Sequence, residues 1–258
     1  MTYNVFITGA AQGIGVATAR LFYQAGYKVG LYDLQEDAVQ SLAHELGDRA
    51  IAGQLDVTDY QQWQTALQTF HTWAGALNIL VNNAGILYSG AFENTDIQAH
   101  HRIVDINIKG VLNGCHAALP FLQQADFARV INLSSASAIY GQADLISYSA
   151  SKFAVRGITE GLDIEWRKHN IRVLDIMPLF VQTHMVTNMD AGSIQNLGVT
   201  LTPEDVAKHI FSISQKKTTL LTATHHPVGL KTKLMFKLSG ISPQFVNRIT
   251  NIVLSHKN

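Results

Sequence analysis

Six short apolar stretches recur along this chain, each followed by turn residues or the start of a helix-patterned segment: YNVFIT (3–8), KVGLYD (28–33), AIAGQLD (50–56), LNILVN (77–82), RVINLS (129–134) and IRVLDIM (171–177). They place apolar residues at successive positions rather than at alternate ones. A strand that is apolar on both faces has to be covered on both faces. Strands of this kind that alternate with helices connect in parallel through right-handed crossovers. The pattern therefore predicts an α/β protein, a doubly wound parallel sheet of about seven strands with helices on both faces. TTLLTAT (218–224) supplies the seventh strand. Helices are predicted over 14–25, over 36–46, from the Asp59 cap to about Trp73, and along a long segment between the fifth and sixth strands. No repeat, linker or early composition break divides residues 1–258, so one domain is expected.

Composition narrows the class. Hydrophobic residues make up 47% of the 258 and charged residues 15%, which excludes general disorder. No apolar run reaches the length of a bilayer span, and a strand starting at Tyr3 leaves no room for a signal-peptide core. A cytoplasmic protein is expected. Cys115 is the single cysteine, so no internal disulfide forms, and its small-residue surroundings suggest a buried structural thiol. The histidines show no zinc-ligand spacing, and the pairs His100-His101 and His225-His226 diverge on a helix, so no metal is expected. A net charge of zero argues against a nucleic-acid partner. The charge is unevenly placed: no Asp or Glu follows Asp205, while Lys208, Lys216, Lys217, Lys231, Lys233, Lys237, Arg248 and Lys257 do.

TGAAQGIG (8–15) joins the first strand to the first helix. Gly9 permits a tight turn, Gly13 lets backbone approach a pyrophosphate, and Gly15 allows the helix to pack closely on the strand. The helix N-terminus favours a phosphate. Asp33 ends the second strand 18 residues after Gly15, where a carboxylate can hold an adenosine ribose. With Gln12 before Gly13 and Leu34 after Asp33, no basic residue stands ready for a 2′-phosphate, so NAD is expected over NADP.

YSASK (148–152) puts a tyrosine and a lysine one helical turn apart on one face. Together with Thr8-Gly9-Ala10-Ala11-Gln12-Gly13-Ile14-Gly15, Asp56-Val57, Asn82-Asn83-Ala84-Gly85, Asn107 and Ser134-Ser135, in this order, the chain resembles the short-chain dehydrogenase/reductase family over residues 1 to about 183. The resemblance implies a Rossmann-like fold and a catalytic set of Asn107, Ser135, Tyr148 and Lys152. Tyr148 is then the general acid/base, and Lys152 favours its phenolate and holds the nicotinamide ribose. Ser135, thirteen residues before Tyr148, bonds the substrate oxygen in preference to Ser134. Asn107 holds a relaying water or, as the alternative, bonds the helix backbone. The resemblance also places Gly9, Gln12, Gly13, Ile14, Gly15, Asp33, Leu34, Asp56, Val57, Asn83, Ala84, Gly85, Tyr148, Lys152, Pro178, Val181 and Thr183 at the cofactor, with Asn83 against the adenosine ribose.

The chain departs from that family in two places. Leu179 follows Pro178 where a glycine is usual, which sets an apolar side chain at the mouth of the site. Residues 179–203 are expected to form a lid, and Met185, Val186, Met189, Ile194, Leu197 and Val199 either face a hydrocarbon-like substrate or pack on the lid itself. His184 is expected in solvent. A glycine-rich closing strand is missing; instead GLKTKLMFKL and SPQFVNRITNIVLS read as two helices in a basic extension over 227–258, with Gly240 as a stop and Ser242-Pro243 as a start. A homodimer or homotetramer is expected, with a dimer through residues 96–123 and 147–169 favoured. Three readings of the basic segment stand: a contact with the acidic body or a partner subunit, an ordinary solvated surface, or weak contact of residues 230–238 with an anionic membrane. The function expected is NAD(H)-dependent interconversion of a hydrophobic secondary alcohol and a ketone; the alternative is an NAD(H)-sensing binding protein without turnover.

Overall fold

In chain order the elements are β1 (Asn4–Thr8), α1 (Gly13–Gln24), β2 (Lys28–Asp33), α2 (Glu36–Leu46), β3 (Ala50–Gln54), α3 (Tyr60–Ala74), β4 (Ile79–Asn82), α4 (Ile97–Val104), α5 (Gly110–Leu122), β5 (Ala128–Leu133), α6 (Ile146–Glu165), β6 (Ile171–Met177), α7 (His184–Thr187), α8 (Gly192–Leu197), α9 (Pro203–Gln215), β7 (His225–Pro227), α10 (Leu230–Ile241) and α11 (Gln244–Ser255). The structure is a computed structural model, and it describes residues 3–187, 189, 191–216 and 222–255. The strands form one parallel sheet in the order β3-β2-β1-β4-β5-β6-β7.

Alternate residues of each central strand feed two different cores. Val5 and Ile7 join Phe22, Val39, Leu42 and Ile210 on the face covered by α1, α2 and α9. Phe6 joins Trp63, Phe70, Cys115 and Val155 on the face covered by α3, α5 and α6. Two-sided burial explains why these strands are apolar at successive positions. Helix starts are set locally: Asp59 accepts from the amides of Gln61 and Gln62, and Thr202 with Asp205 closes a capping box around Pro203. Strand order reverses between β1 and β4, which opens a crevice at their carboxyl ends.

Three sequence expectations shift. β3 stops at Gln54, before the expected end at Asp56, whose carboxylate instead closes a turn on the amide of Thr58 at 2.9 Å. The seventh strand is His225–Pro227 rather than 218–224, of which 218–221 lie outside the described residues. The two histidines belong in a strand because β6 presents a buried carboxylate, Asp175, that bonds His225 Nδ1 at 2.7 Å. Gly240 does not stop α10, which runs on to Ile241. Lys217 and Lys257 also lie outside the described residues. Among the described residues, no helix is long and apolar enough to cross a membrane.

Candidate active site

The glycine turn is built for close approach. Gly9 and Gly13 adopt φ +64 and +55. A Cβ on Gly15 would meet the carbonyl oxygen of Gly9 at 2.0 Å, so only glycine lets α1 begin so near the end of β1. Asn83, just after β4, braces this turn, its Nδ2 donating to the carbonyls of Thr8 and Gly9 at 2.9 Å each. Its amide is thus spent on the turn, while its surface lines the cleft beyond. Thr8, which the sequence reading treated only as part of the motif, is the other brace: its Oγ1 accepts from the amides of Asn83 and Ala84 at 3.1 Å.

That cleft encloses about 340 Å³ and runs along the carboxyl ends of the strands. All the residues expected at the cofactor line it except Gly15, which packs beneath the turn. At one end the carboxylate of Asp33 accepts from the amides of Ala11 and Gln35 at 3.1 and 3.0 Å, and Leu34 beside it is 62% exposed. At the other end stand Ser135, Tyr148 and Lys152. Pro178, Val181 and Thr183 form the wall after β6, where a Cβ on Gly13 would lie 3.1 Å from Thr183 Cγ2. A long groove with a backbone cradle at a helix N-terminus, a carboxylate at one end and hydroxyls at the other fits a dinucleotide.

The four expected catalytic residues come from three segments. Tyr148 and Lys152 lie on the first turns of α6. Lys152 Nζ donates to the carbonyl of Leu133 at 2.7 Å and lies 5.4 Å from the centre of the Tyr148 ring. Ser135 follows β5 in extended backbone, is buried, and caps the turn after it by accepting from the amide of Ser137 at 3.1 Å. Ser134 turns away and donates to the carbonyl of Lys152 at 3.2 Å, which holds α6 against β5. Asn107 sits in a π-helical turn, residues 105–109, between α4 and α5. Such a turn widens the helix and re-aims its side chains. Asn107 accepts from the amide of Ile86 at 2.8 Å and donates to its carbonyl at 2.9 Å and to Ser151 Oγ at 3.1 Å. A Cβ on Gly85 would lie 3.2 Å from Asn107 Oδ1 and 3.7 Å from Lys152 Nζ, so a bare backbone separates the two.

Burial sets the protonation of the pair. It pushes the Tyr148 hydroxyl up to about 12, against the hydrogen bond from Ser135, and the Lys152 amine down to about 8. For Tyr148 desolvation is the larger cause and outweighs the hydrogen bond with Ser135. Cys115 is buried, and burial lifts its thiol to about 12, which suits a structural role.

A third apolar cluster borders the cleft. Leu179 is buried there with Met177, Phe180, Ile139 and Tyr140 rather than standing free at the mouth, although it still lines the cleft. Val186, Met189, Ile194, Leu197 and Val199 pack on this cluster, Met185 is 43% exposed, and His184 is exposed at the rim. One polar group here had no sequence signal. Gln142 is buried, and its Oε1 accepts from Ser137 and from Ser193 of α8, which links the Ser135 turn to α8.

A family model described as short chain dehydrogenase matches residues 3–193. The chain belongs to the short-chain dehydrogenase/reductase family. As a family member it is an oxidoreductase that uses a nicotinamide dinucleotide. It is 33% identical over 223 residues to a 3-alpha-(or 20-beta)-hydroxysteroid dehydrogenase of Mycobacterium tuberculosis, covering 86% of each chain. Its fold resembles the 3-ketoacyl-(acyl-carrier-protein) reductase of Brucella melitensis complexed with NADH, with a TM-score of 0.81, 27% identity, and 88% of this chain and 96% of that one covered. It also resembles ElxO with NADP bound, with a TM-score of 0.79, 26% identity and coverage of 88% and 97%. The two structures hold different dinucleotides, so the family alone leaves the choice between NAD and NADP to the residues at the Asp33 end. In this short-chain dehydrogenase those residues are a carboxylate and an exposed leucine.

Proposed function

We propose that this short-chain dehydrogenase interconverts a hydrophobic secondary alcohol and a ketone with NAD(H). The observation that carries the reading is that Ser135, Tyr148 and Lys152 close one end of the same cleft whose other end is formed by the glycine turn and Asp33. The turn would receive the pyrophosphate, Asp33 the adenosine ribose, and Lys152 the nicotinamide ribose. Bound there, the nicotinamide supplies or accepts the hydride. The chain's own task is the proton. Tyr148, held protonated by burial, is ready to donate to a ketone oxygen; in the opposite direction it accepts the alcohol proton. Ser135 Oγ orients that oxygen, and Asn107 positions α6 through Ser151. Lys152 stabilises the phenolate once it carries charge.

Preference for NAD follows from charge. A carboxylate at Asp33 accepts hydrogen bonds from ribose hydroxyls and repels a phosphate there, and Leu34 offers no compensating cation. The substrate class follows from Leu87, Leu179, Phe180, Met185 and Val186, which line the cleft beside Tyr148. A related protein named for a hydroxysteroid, a bulky cyclic secondary alcohol, supports this reading. We further propose that residues 179–203 act as the lid and that two copies pair through α4–α5 and α6, where Ile97, Val104, Leu112, Ile146, Phe153 and Ile164 are exposed. An NAD(H) sensor without turnover would leave Tyr148 and the buried Ser135 without a task.

The test is a screen of secondary alcohols and ketones of graded size, including cyclic ones, with NAD(H) or NADP(H) and absorbance at the reduced-nicotinamide band. NAD-linked turnover that improves with hydrophobic size supports the reading. Tight NADH binding with no turnover on any of them would replace it with the sensor.

A further inference from the structure

The last two helices turn apolar side chains outward. On α10, Leu230, Leu234, Leu238 and Ile241 are exposed, and on α11, Phe245, Ile249, Ile252 and Val253. The first set is spaced i, i+4, i+8 and i+11, and the second i, i+4, i+7 and i+8, so each forms one stripe along its helix. The opposite sides face the protein. Thr232 is fully buried, and Met235, Phe236 and Leu254 pack on the third apolar cluster. These helices are thus amphipathic twice over, with one apolar side satisfied by the body and one left facing outward.

The charges around the stripes have a single sign. Lys233 and Lys237 flank the stripe of α10 on one side and Lys231 on the other, and Arg248 flanks that of α11. Among the described residues none of these four forms an ion pair, so the basic segment is not neutralised by the acidic body of its own chain. We propose that α10 and α11 together form a docking surface for an anionic lipid membrane. Outward apolar stripes between basic flanks are what a helix lying in the headgroup region presents: the stripe enters the acyl boundary and the cations meet lipid phosphates. A second copy fits less well. A two-fold contact would set each basic flank against its own copy with no carboxylate to answer it, since no acidic residue follows Asp205.

The surface is also tied to the lid. Lys231 Nζ donates to the carbonyl of Leu197, the last residue of α8, at 2.7 Å, and Asn196 Nδ2 donates to the carbonyl of Leu254 on α11 at 3.1 Å. Docking therefore places the cleft's lid region beside the lipid surface.

The experiment is co-sedimentation of the full chain with vesicles of phosphatidylcholine alone and of phosphatidylcholine with phosphatidylglycerol, at low and high salt. Two double variants accompany it: Leu234→Glu with Ile249→Glu, which changes exposed side chains, and Lys233→Gln with Lys237→Gln. The wild type is expected to bind the anionic vesicles at low salt and release at high salt. The glutamate variant should fall to background. The glutamine variant should partition about thirtyfold more weakly, the equivalent of about 1 kcal/mol per lysine. Absence of wild-type binding at low salt overturns the proposal, and so does binding that both variants retain. If the wild type ignores vesicles and the glutamate variant shifts to a smaller species in equilibrium sedimentation, the surface belongs to a second copy instead.

Discussion

Lys152 reaches back across the site to the end of β5, where its Nζ donates to the carbonyl oxygen of Leu133 at 2.7 Å, two residues before Ser135. The bond anchors the amine over the Tyr148 ring, 5.4 Å from its centre. Helix α6 and the Ser135 turn are thereby held in one register, reinforced by Ser134 on the carbonyl of Lys152. Tyrosine and lysine thus act as parts of a preorganised site in which burial, rather than mutual attraction, controls the resting charge.

Replacing Tyr148 with Phe removes the transferable proton and leaves the cleft's shape. Turnover should fall by about 10² to 10⁴, the usual contribution of a positioned acid or base. NADH affinity, measured by fluorescence titration, should change little. Retention of more than about a tenth of kcat would remove Tyr148 from the proton-transfer role.

The pH profiles of the two directions should mirror each other. Ketone reduction needs Tyr148 protonated, the state that burial favours, so its rate is expected to hold through neutral pH and decline on the alkaline side. Alcohol oxidation needs the deprotonated form and should rise with pH. Lys152→Ala, assayed at saturating cofactor, removes the cation that stabilises the phenolate and should move the oxidation limb to higher pH. An unmoved limb would limit the lysine to holding cofactor.

Cofactor choice should reside at Asp33 and Leu34. The native protein is expected to favour NAD in kcat/KM. Asp33→Ser with Leu34→Arg should shift the ratio toward NADP by at least about tenfold, or about 1.4 kcal/mol. Equal use of both cofactors by the native protein would contradict this placement.

Stability should carry an acid-sensitive contribution from β7. Burial lowers His226 from 6.5 to about 4, so between those values the unfolded chain takes up a proton that the folded chain refuses. This contribution is present above about 6.5 and is lost as pH falls toward about 4. Its neighbour His225 is raised: desolvation opposes this, but the carboxylates of Asp175 and Glu160 outweigh it, so its contribution is lost as pH rises through its folded value. Thermal melts of His226→Asn should lose less stability than wild type between neutral pH and pH about 4. Identical acid profiles would show that His226 does not titrate differently on folding.

Most of the parallel sheet was legible because its cause is local and repeated. Residues such as Phe6 and Ile7 are apolar in succession because they face two different cores, and that burial writes itself into neighbouring positions. The seventh strand was misplaced because its histidines are stabilised by Asp175, 50 residues earlier, and carry no apolar pattern. Leu179 stood in the sequence as an odd residue at the mouth; whether it faced solvent or Phe180 and Ile139 depended on the path of the chain after β6.

By itself, the sequence determined the strand–helix alternation, the glycine turn and the i to i+4 pairing of Tyr148 with Lys152, since each is a short-range consequence of backbone sterics and helical spacing. Tertiary structure alone decided that Asn83 braces the glycine turn, that a π-turn swings Asn107 onto Ile86 and Ser151, and that Lys152 is buried enough to bring its amine down to about 8. It also decided which side of α10 and α11 meets the body and which is left bare. Hydrogen-bond partners and desolvation depend on atoms that converge from distant parts of the chain, and no local pattern encodes which of them will meet.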